Sequence, residues 1–354
     1  MSDPLAKIRA RIDALDDKLI ELLNERAGLA RDIGHVKRGA KYRPEREAQV
    51  LRRVAQQSRG PLPRAAIVRL YTEIMSACRA LEDGLSVAYL GPQGTFSEEA
   101  AVKQFGGGAR LEPCASIDEV FRCVEAGRVG YGVVPVENST EGSIGRTHDL
   151  LLATPLKICG EVLLAVHQCM MSRSGKAASV RKILSHSQSL AQCQAWLNQR
   201  FPAARRTPVV SNAEAARLAA GDLSAAAIAS KTAAAVYKLK IIASNIEDEP
   251  NNTTRFVVIS AQDAGPSGKD KTSLVLSTQN ASGAIHALLT PLATHGVSMT
   301  RLESRPARTG RWEYMFYVDL DGHQTDDHVM QALAELERNA AFVKNLGSYP
   351  AGSV

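Results

Sequence analysis

The chain has 354 residues, enough for two or three domains that each form a hydrophobic core. Hydrophobic residues make up 45% of it and charged residues 23%, which is the composition of a globular protein and excludes a fibrous or disordered one. Residues 1–83 hold 17 Lys and Arg against 12 Asp and Glu, so most of the net charge of +6 lies there. Because acids alternate with these basic residues and no aromatic platform accompanies them, a small polyanionic ligand fits the segment at least as well as nucleic acid.

The N-terminus and the cysteines indicate the compartment. The segment MSDPLAKIRARIDALDDK is too charged for a signal peptide, and no apolar run approaches the length of a membrane span. The six cysteines are scattered, with no CxxC pair and no neighbouring His cluster, which favours reduced core thiols over a disulfide or metal framework. We therefore expect a cytoplasmic protein with no bound metal, no membrane partner and no nucleic-acid partner.

Three helices are predicted in the first 83 residues. Between 5 and 37 the apolar residues recur at steps of four and three, a heptad seam made of Ile8, Ile12, Leu15, Leu19, Leu22, Leu29, Ile33 and Val36. A helix of that length measures about 50 Å, more than its short neighbours can cover, so a helical partner from another chain is expected. Arg43-Pro44 ends the pattern, and further helices are predicted over about 45–58 and 64–82.

From Leu85 onward, short apolar strands alternate with Ala-rich helices, which predicts an α/β domain with a largely parallel sheet. The polar stretch 261–271 has the Gly, Ser and Pro content of a linker. Beyond it, the predicted order of strand, helix, two strands, helix and strand suits a small βαββαβ ferredoxin-like module. The predicted domains are 1–83, 85–262 and 271–350.

Arg26 interrupts the apolar seam. It occupies the position between Leu22 and Leu29, where a buried guanidinium is costly unless it is paired. Two explanations stay open: a core arginine satisfied by a nearby glutamate, or an arginine that clamps the carboxylate of a ligand. Glu82, near the end of the third helix, is likewise either a solvated acid or an active-site carboxyl.

The charged residues of the three helices resemble those of the all-helical chorismate mutase family, whose members are intertwined dimers. The matching positions are Arg9, Arg26, Lys37, Arg46, Glu47 and Glu82, with Cys78 on the same stripe as Glu82. The resemblance implies that Arg26 and Arg9 from a partner chain hold the carboxylates of chorismate. It also implies that Lys37 donates to the ether oxygen and that Glu47, supported by Arg46, contacts the ring hydroxyl.

Two positions depart from that family. Arg43 stands where many members have Asp, and Glu82 stands where others have Gln. A glutamate donates a hydrogen bond to the ether oxygen only when it is protonated. Mutase activity is therefore expected to fall as the pH rises.

Four polar motifs of the middle domain lie at the ends of predicted strands. They are GPQGTFSEEA at 91–100, VENS at 136–139, SHSQSLAQC at 185–193 and NNTTRF at 251–256. In an α/β sheet, polar residues at strand ends and in the first turns of helices line the ligand cleft. In the first motif, Thr95 and Glu98 form a capping box that begins a helix.

Together, and in this order, the four motifs resemble the prephenate dehydratase family over residues 86–260. The resemblance implies two α/β lobes, like those of solute-binding proteins, that close on prephenate, with Thr254 as the catalytic hydroxyl. The residues that it places beside Thr254 are Asn138, Ser185 and Gln192, with Glu137 close by. The groups expected to take the substrate carboxylates are the backbone N–H groups at Gly94 and Thr95 and the guanidinium of Arg255.

Two segments of the C-terminal module resemble the ACT regulatory domain that is appended to this dehydratase family. In that family the two segments meet at a subunit interface and enclose phenylalanine. The effector residues implied by the resemblance are Gly283, Ala284, Ile285, His286, Glu303, Ser304, Arg305 and Pro306.

The three resemblances imply one enzyme that rearranges chorismate to prephenate and converts prephenate to phenylpyruvate. It is expected to need no cofactor, to be inhibited by L-phenylalanine and to form a homodimer or a larger homo-oligomer. Two alternatives stay open: a dehydratase for prephenate or arogenate whose helical segment only dimerises, and an amino-acid-binding module. A dehydrogenase is disfavoured because no GxGxxG motif follows a predicted strand.

Overall fold

The computed structural model describes residues 3–36, 42–82, 84–279, 281–307 and 314–352, with the backbone alone at 34–36. Its elements form a helical segment, two α/β lobes and a C-terminal module. Within the described ranges, no helix combines the length and the apolar character needed to cross a bilayer. Lys37 lies outside the described residues.

The helical segment consists of α1 (Pro4–Val36), α2 (Pro44–Gln57) and α3 (Arg64–Ala80), which confirms the three predicted helices. A proline sets the start of α2, since Pro44 occupies its first turn after an extended Arg43 (φ −124°, ψ 92°). Helix α3 contacts both α1 and α2. Most of α1 nevertheless keeps its apolar side chains exposed.

Lobe 1 contains one mixed sheet and three helices. Its elements are β1 (Ser86–Leu90), α4 (Phe96–Phe105), β2 (Arg110–Cys114), α5 (Ile117–Glu125), β3 (Tyr131–Asn138), β4 (Gly142–Ser143), α6 (Gly145–Ala153), β5 (Lys157–Ala165) and β11 (Thr253–Ser260). The strand order is β2-β1-β3-β11-β5, and β4 pairs with β3.

Lobe 2 is inserted between β5 and β11. Its elements are β6 (Cys169–Ser172), β7 (Lys182–Ser185), α7 (Ser187–Gln192), α8 (Gln194–Arg200), β8 (Arg205–Pro208), α9 (Asn212–Ala220), β9 (Ala225–Ala229), α10 (Lys231–Val236) and β10 (Lys240–Ala243). The strand order is β10-β6-β9-β7-β8. The chain therefore crosses between the lobes twice, after β5 and before β11.

These crossings explain why the predicted parallel sheet is only partly correct. The pairs β1–β2, β1–β3, β7–β8 and β7–β9 are parallel. Strand β11, however, returns from lobe 2 and inserts antiparallel between β3 and β5. The sequence pattern shows that a segment is a strand, but the direction of its neighbours depends on the return path of the chain.

The C-terminal module contains β12 (Asp270–Ser277), α11 (Ala284–Thr294), β13 (Met299–Pro306), β14 (Tyr314–Asp321), α12 (Asp327–Asn339) and β15 (Phe342–Pro350), which confirms the βαββαβ order. Its antiparallel sheet has the order β13-β14-β12-β15. One face packs beneath α11 and α12. The other shares a core with lobe 1, where Val275, Tyr317 and Tyr349 join Val134 and Val257.

The stretch 261–271 is not the free linker that its composition predicts. Ala264 and Ser267 are buried, and β12 begins at Asp270. The backbone carbonyl of Ser267 accepts a hydrogen bond from Arg52 of α2, and Gln49 reaches the neighbouring Pro266 carbonyl at 3.4 Å. The backbone of this stretch therefore connects the helical segment to the rest of the chain.

Candidate active sites and effector region

The ends of β3 and β11 bring Asn138 and Thr254 together between the lobes. The register pairs these residues directly, and both side chains are buried. Asn138 Nδ2 donates to Thr254 Oγ1 at 2.8 Å and to Asn252 Oδ1 at 2.7 Å. The predicted catalytic hydroxyl and its predicted helper thus form a direct hydrogen bond.

Three donors fix the orientation of the Asn138 amide. Its Oδ1 accepts from the Thr140 backbone N–H at 3.1 Å, the Thr140 hydroxyl at 2.6 Å and the Glu141 backbone N–H at 3.2 Å. The amide nitrogen must therefore point toward Thr254, whose oxygen acts as an acceptor. This leaves the proton of the Thr254 hydroxyl available for donation to another group.

The opposite wall of the cleft comes from lobe 2 and its entry segment. Gln168 Nε2 donates to Ser189 Oγ at 3.1 Å and to Gln192 Oε1 at 3.3 Å. Gln192 Nε2 lies 3.5 Å from both Thr140 Oγ1 and Glu141 Oε1 in lobe 1. The predicted residue Gln192 therefore bridges the two lobes.

Ser185 supports that wall from behind. It is fully buried, and its Oγ lies 2.9 Å from Asn212 Oδ1 and 2.7 Å from the Ile228 carbonyl. Asn212 in turn donates to Ser189 Oγ at 2.8 Å. The structure thus connects Ser185 to the cleft through Asn212 and not by direct exposure.

Two buried polar atoms near the Asn138–Thr254 pair have no hydrogen-bond partner among the described residues. They are Asn252 Nδ2, a donor, and Gln168 Oε1, an acceptor. Such groups are costly to bury unpaired, and they mark a place where a polar ligand regains the lost hydrogen bonds. Neither residue was predicted from the sequence, although Asn252 belongs to the NNTTRF motif and Gln168 follows the end of β5.

The GPQG turn forms a contact between the lobes. Thr95 caps α4 by accepting from the Glu98 N–H, as the capping box predicts. The N–H of Gly94 is already bonded to Glu98 Oε2 at 2.5 Å, so it is not the free anion donor that we expected. Gly94 adopts φ +87°, and a Cβ there would lie 3.0 Å from Ala233 Cα in lobe 2.

Arg255 and Glu137 do not join Thr254 in the cleft. Successive side chains of a strand point to opposite faces, so these two point toward the C-terminal module. Arg255 Nε lies 2.8 Å from Glu161 Oε2 and its Nη1 lies 2.5 Å from Asp319 Oδ2. Burial lowers the pKa of Arg255, but the neighbouring Tyr349, Asp319 and Glu161 outweigh it, so the pKa is raised.

Glu137 has a comparable contact. Its Oε2 lies 2.8 Å from Nε of Arg301 on β13. The predicted substrate contacts of Glu137 and Arg255 are therefore corrected to contacts between lobe 1 and the module.

Part of the predicted mutase site assembles within one chain. Arg26 Nη1 lies 3.0 Å from Cys78 Sγ. Glu47 forms an ion pair with Arg79, a residue that was not predicted from the sequence. Arg79 also donates to the Phe105 carbonyl at 2.7 Å. Burial lowers the pKa of Arg79, and the nearby Glu82 acts in the opposite direction. Within this chain, Glu47 thus pairs with the guanidinium of Arg79.

Two other predicted mutase positions of the described chain, 9 and 46, lie on its surface. Arg46 is exposed, and Arg43 pairs with Glu45 at 3.0 Å. Arg9 is exposed on α1 and lies 17 residues before Arg26, about 26 Å along the helix. Arg9 therefore cannot reach Arg26 within one chain.

The predicted effector residues divide between two surfaces. Gly283 precedes α11 with φ +76°, and Ala284 begins the helix. The side chains of Ile285, His286, Ser304 and Pro306 are exposed. Glu303 and Arg305 instead point toward lobe 1, where Glu303 bonds to Ser143 and Arg305 lies 3.6 Å from Asp149.

One group in the described part of the chain has metal-ligand geometry, formed by Cys114, Glu119 and Cys123. The two sulfur atoms are 3.8 Å apart. Arg128 donates to Cys123 Sγ at 2.6 Å, where its positive charge opposes a cation. Burial also raises the pKa of Cys114 to about 12, which keeps the thiol protonated. This chemistry disfavours a metal ion.

Three family models match the chain in succession. They are chorismate mutase type II at residues 8–83, prephenate dehydratase at 87–264 and the ACT domain at 272–338. Among solved structures, a prephenate dehydratase in complex with L-Phe from Arthrobacter aurescens is 33% identical with a TM-score of 0.70. That match covers 75% of this chain and 90% of the other.

Two curated relatives match over almost their whole length. The bifunctional chorismate mutase/prephenate dehydratase of Neisseria gonorrhoeae is 51% identical, covering 97% of this chain and 96% of the relative. The protein of the same name from Pseudomonas aeruginosa is 46% identical, covering 98% of each. The helical segment, the two lobes and the module are thus matched together, and the chain belongs to the family of bifunctional chorismate mutase/prephenate dehydratases.

Proposed function

We propose that this enzyme rearranges chorismate to prephenate and then converts prephenate to phenylpyruvate, and that L-phenylalanine inhibits it. The observation that carries the dehydratase activity is the Asn138–Thr254 hydrogen bond beside the unpaired Asn252 Nδ2 and Gln168 Oε1. A hydroxyl with a free proton and two unpaired buried polar groups suits a substrate that carries hydroxyl and carboxylate groups.

In the dehydratase step, prephenate loses its ring hydroxyl as water and its ring carboxylate as carbon dioxide, and aromatisation drives the reaction. A threonine hydroxyl is too weak an acid to transfer a proton alone. Asn138 holds the Thr254 oxygen as an acceptor, so its O–H donates a hydrogen bond to the departing hydroxyl. Gln192 joins the lobes across the cleft and helps to exclude water from it.

In the mutase step, the site holds chorismate in its folded shape and stabilises the negative charge that builds on the ether oxygen. We assign Arg26, Lys37, Arg46, Glu47, Cys78 and Glu82 of one chain to this site. A partner chain supplies Arg9. The Arg79–Glu47 ion pair opens when Glu47 turns to the ring hydroxyl of the substrate.

The exposed face of α1 supports a homodimer. Ten leucine and isoleucine side chains of this helix are between 41% and 61% exposed. Monomeric proteins rarely leave an apolar patch of that extent uncovered. A second α1 would cover the seam and bring Arg9 to the Arg26 site.

A cytoplasmic location agrees with the cysteines. All six are free and buried, and the pair Cys114–Cys123 remains unbonded at 3.8 Å. Inhibition by L-phenylalanine is supported by the match to the ACT domain and by the L-Phe complex of the Arthrobacter enzyme. We propose prephenate rather than arogenate as the substrate.

The test uses purified enzyme with chorismate or prephenate, and follows prephenate and phenylpyruvate with and without L-phenylalanine. Thr254→Ala should abolish phenylpyruvate formation and leave the mutase rate unchanged, whereas Thr254→Ser should keep measurable dehydratase activity. Phenylpyruvate from prephenate but none from chorismate would reduce the function to a monofunctional dehydratase. Loss of both activities in Thr254→Ala would contradict separate sites.

A further inference from the structure

We infer that the ion pair between Glu137 and Arg301 couples the effector strand β13 to the catalytic pair, with Glu137 acting as a positioning residue for Asn138. This inference rests on the proposed function, because it concerns the regulation of the same site. It gives a role to a residue that motif resemblance had placed against the substrate.

The first step is the alternation of side chains on β3 and β11. Glu137 and Asn138 are consecutive on β3, and Thr254 and Arg255 are consecutive on β11. The register pairs Asn138 with Thr254 and Glu137 with Arg255. Because neighbouring side chains of a strand point to opposite faces, the catalytic pair faces the cleft and the charged pair faces the module.

The second step is the contact that Glu137 makes with the module. Arg301 Nε lies 2.8 Å from Glu137 Oε2, and Arg301 Nη2 donates to Ser143 Oγ at 3.1 Å. Arg301 also pairs with Glu303, which accepts from Ser143. The side chains of Arg301 and Glu303 are only 15% and 19% exposed, so solvent screens these charges less than surface pairs.

The third step is the same alternation on β13. Arg301, Glu303 and Arg305 point toward lobe 1, whereas Leu302 and Ser304 are exposed on the other face. A ligand held against the exposed face therefore contacts the strand that carries Arg301. From that strand, the Arg301–Glu137 contact leads to β3, where Asn138 is the next residue.

Glu137 is more exposed than Arg255 and has fewer charged partners, so it is the better candidate for the coupling residue. Arg255 is 11% exposed and bonds to Glu161, Asp319 and Tyr349, so it anchors β11 rigidly. The Glu137 side chain is 37% exposed, and its ion partner belongs to β13. A shift of β13 that pulls on this pair moves the end of β3, whereas β11 is held by the contacts of Arg255, so without the pair the shift does not reach β3 and the uninhibited site is unchanged. With the pair intact, the hydrogen bond from Asn138 to Thr254 changes, which supplies the differential contact that inhibition requires.

The test compares Arg301→Gln with wild-type enzyme. Losing the coupling should raise the L-phenylalanine concentration for half-maximal inhibition by about tenfold or more. Calorimetry should still detect L-phenylalanine binding, and the uninhibited kcat and KM should stay within about twofold. Glu137→Gln should weaken inhibition similarly. The double variant should need no higher L-phenylalanine concentration for half-maximal inhibition than either single variant, because both substitutions remove the same interaction.

Lys344→Gln is the matched control. Lys344 also joins the module to lobe 1, since its Nζ donates to the Leu151 and Leu152 carbonyls of α6 at 3.0 and 2.7 Å. This variant should keep wild-type inhibition. Unchanged inhibition in Arg301→Gln, or an equal loss in Lys344→Gln, would overturn the assignment to the Glu137–Arg301 pair.

Amide hydrogen exchange separates this inference from the proposed function, since it needs no turnover. Saturating L-phenylalanine should change the exchange of residues 131–139 in the wild type and leave it unchanged in Arg301→Gln. An enzyme that made no phenylpyruvate would refute the proposed function, yet the exchange difference would still support the coupling. No effect of L-phenylalanine on β3 in the wild type would refute the coupling.

Discussion

Asn138 decides which way the Thr254 hydroxyl can act. Its carbonyl oxygen is occupied by three donors from Thr140 and Glu141, so only the amide nitrogen is left for Thr254. A side chain of the same shape but without a donor would reverse the direction of this hydrogen bond. The direction of the hydrogen bond thus depends on the N–H donor of Asn138, and a side chain of equal size without a donor would not preserve it.

Asn138→Asp tests this dependence with almost no change of volume. The carboxylate would accept the Thr254 proton that the substrate needs, so we expect the dehydratase kcat to fall about 100- to 1,000-fold. The mutase rate serves as the internal control and should stay unchanged. A dehydratase kcat within threefold of wild type would show that the orientation of the Thr254 proton does not matter.

At the scale of elements, the end of α4 and helix α3 join the helical segment to lobe 1. The N–H groups of Gly107 and Gly108 donate to Glu73 Oε2 at 3.0 Å and to Ser76 Oγ at 2.9 Å. A Cβ on Gly108 would lie 2.8 Å from the Ser76 carbonyl oxygen, whereas one on Gly107 would meet only the flexible end of Glu73 at 3.3 Å. The close approach of the two backbones requires glycine at 108 and tolerates a side chain at 107.

Gly108→Ala should therefore lower the free energy of unfolding by about 1–3 kcal/mol, because backbone atoms cannot yield as a side chain can. Gly107→Ala is the matched control and should change stability by less than about 0.5 kcal/mol. Urea denaturation measures both. Equal effects of the two substitutions would contradict a backbone contact at Gly108.

At the scale of the whole molecule, α1 lacks the neighbours that its sequence requires. Among the described side chains of α1, partial burial is confined to residues 26–28 and 30, around the contact of Arg26 with Cys78 of α3. The side chains of Leu15 and Leu19 are 59% and 55% exposed. The distance between Arg9 and Arg26 points to the same conclusion, because one chain cannot bring both to a single ligand. We therefore expect association and mutase activity to depend on the same face.

Replacing both Leu15 and Leu19 by glutamate should shift sedimentation toward smaller species, because like charges would oppose each other across the seam. The mutase rate should fall at least about 100-fold as Arg9 leaves the site. The dehydratase rate should persist, since Asn138 and Thr254 come from one chain. Asp16→Asn is the control on the same helix. Full mutase activity in a monomer would refute the shared site.

The sequence by itself determined the elements and the family. Heptad spacing and the proline at 44 predicted the helices of the first segment, and strand–helix alternation predicted an α/β domain. The resemblance of the four motifs implied its two lobes and the catalytic role of Thr254, which stays a prediction. These features are local, because they depend on residues close together in the chain. The structure confirms the helices and the order of the C-terminal module, and it brings Thr254, Asn138 and Gln192 to one cleft.

Only the tertiary structure decided which neighbour each side of a strand meets. The period of two places Glu137 opposite Asn138 and Arg255 opposite Thr254, but it does not show which face meets the cleft and which meets the module. The antiparallel insertion of β11 and the burial of the 261–271 stretch likewise depend on contacts between distant segments. Motif resemblance therefore named Thr254, Asn138 and Gln192 together with Glu137 and Arg255. Packing between domains separates the first three, which lie between the lobes, from the last two, which contact the module.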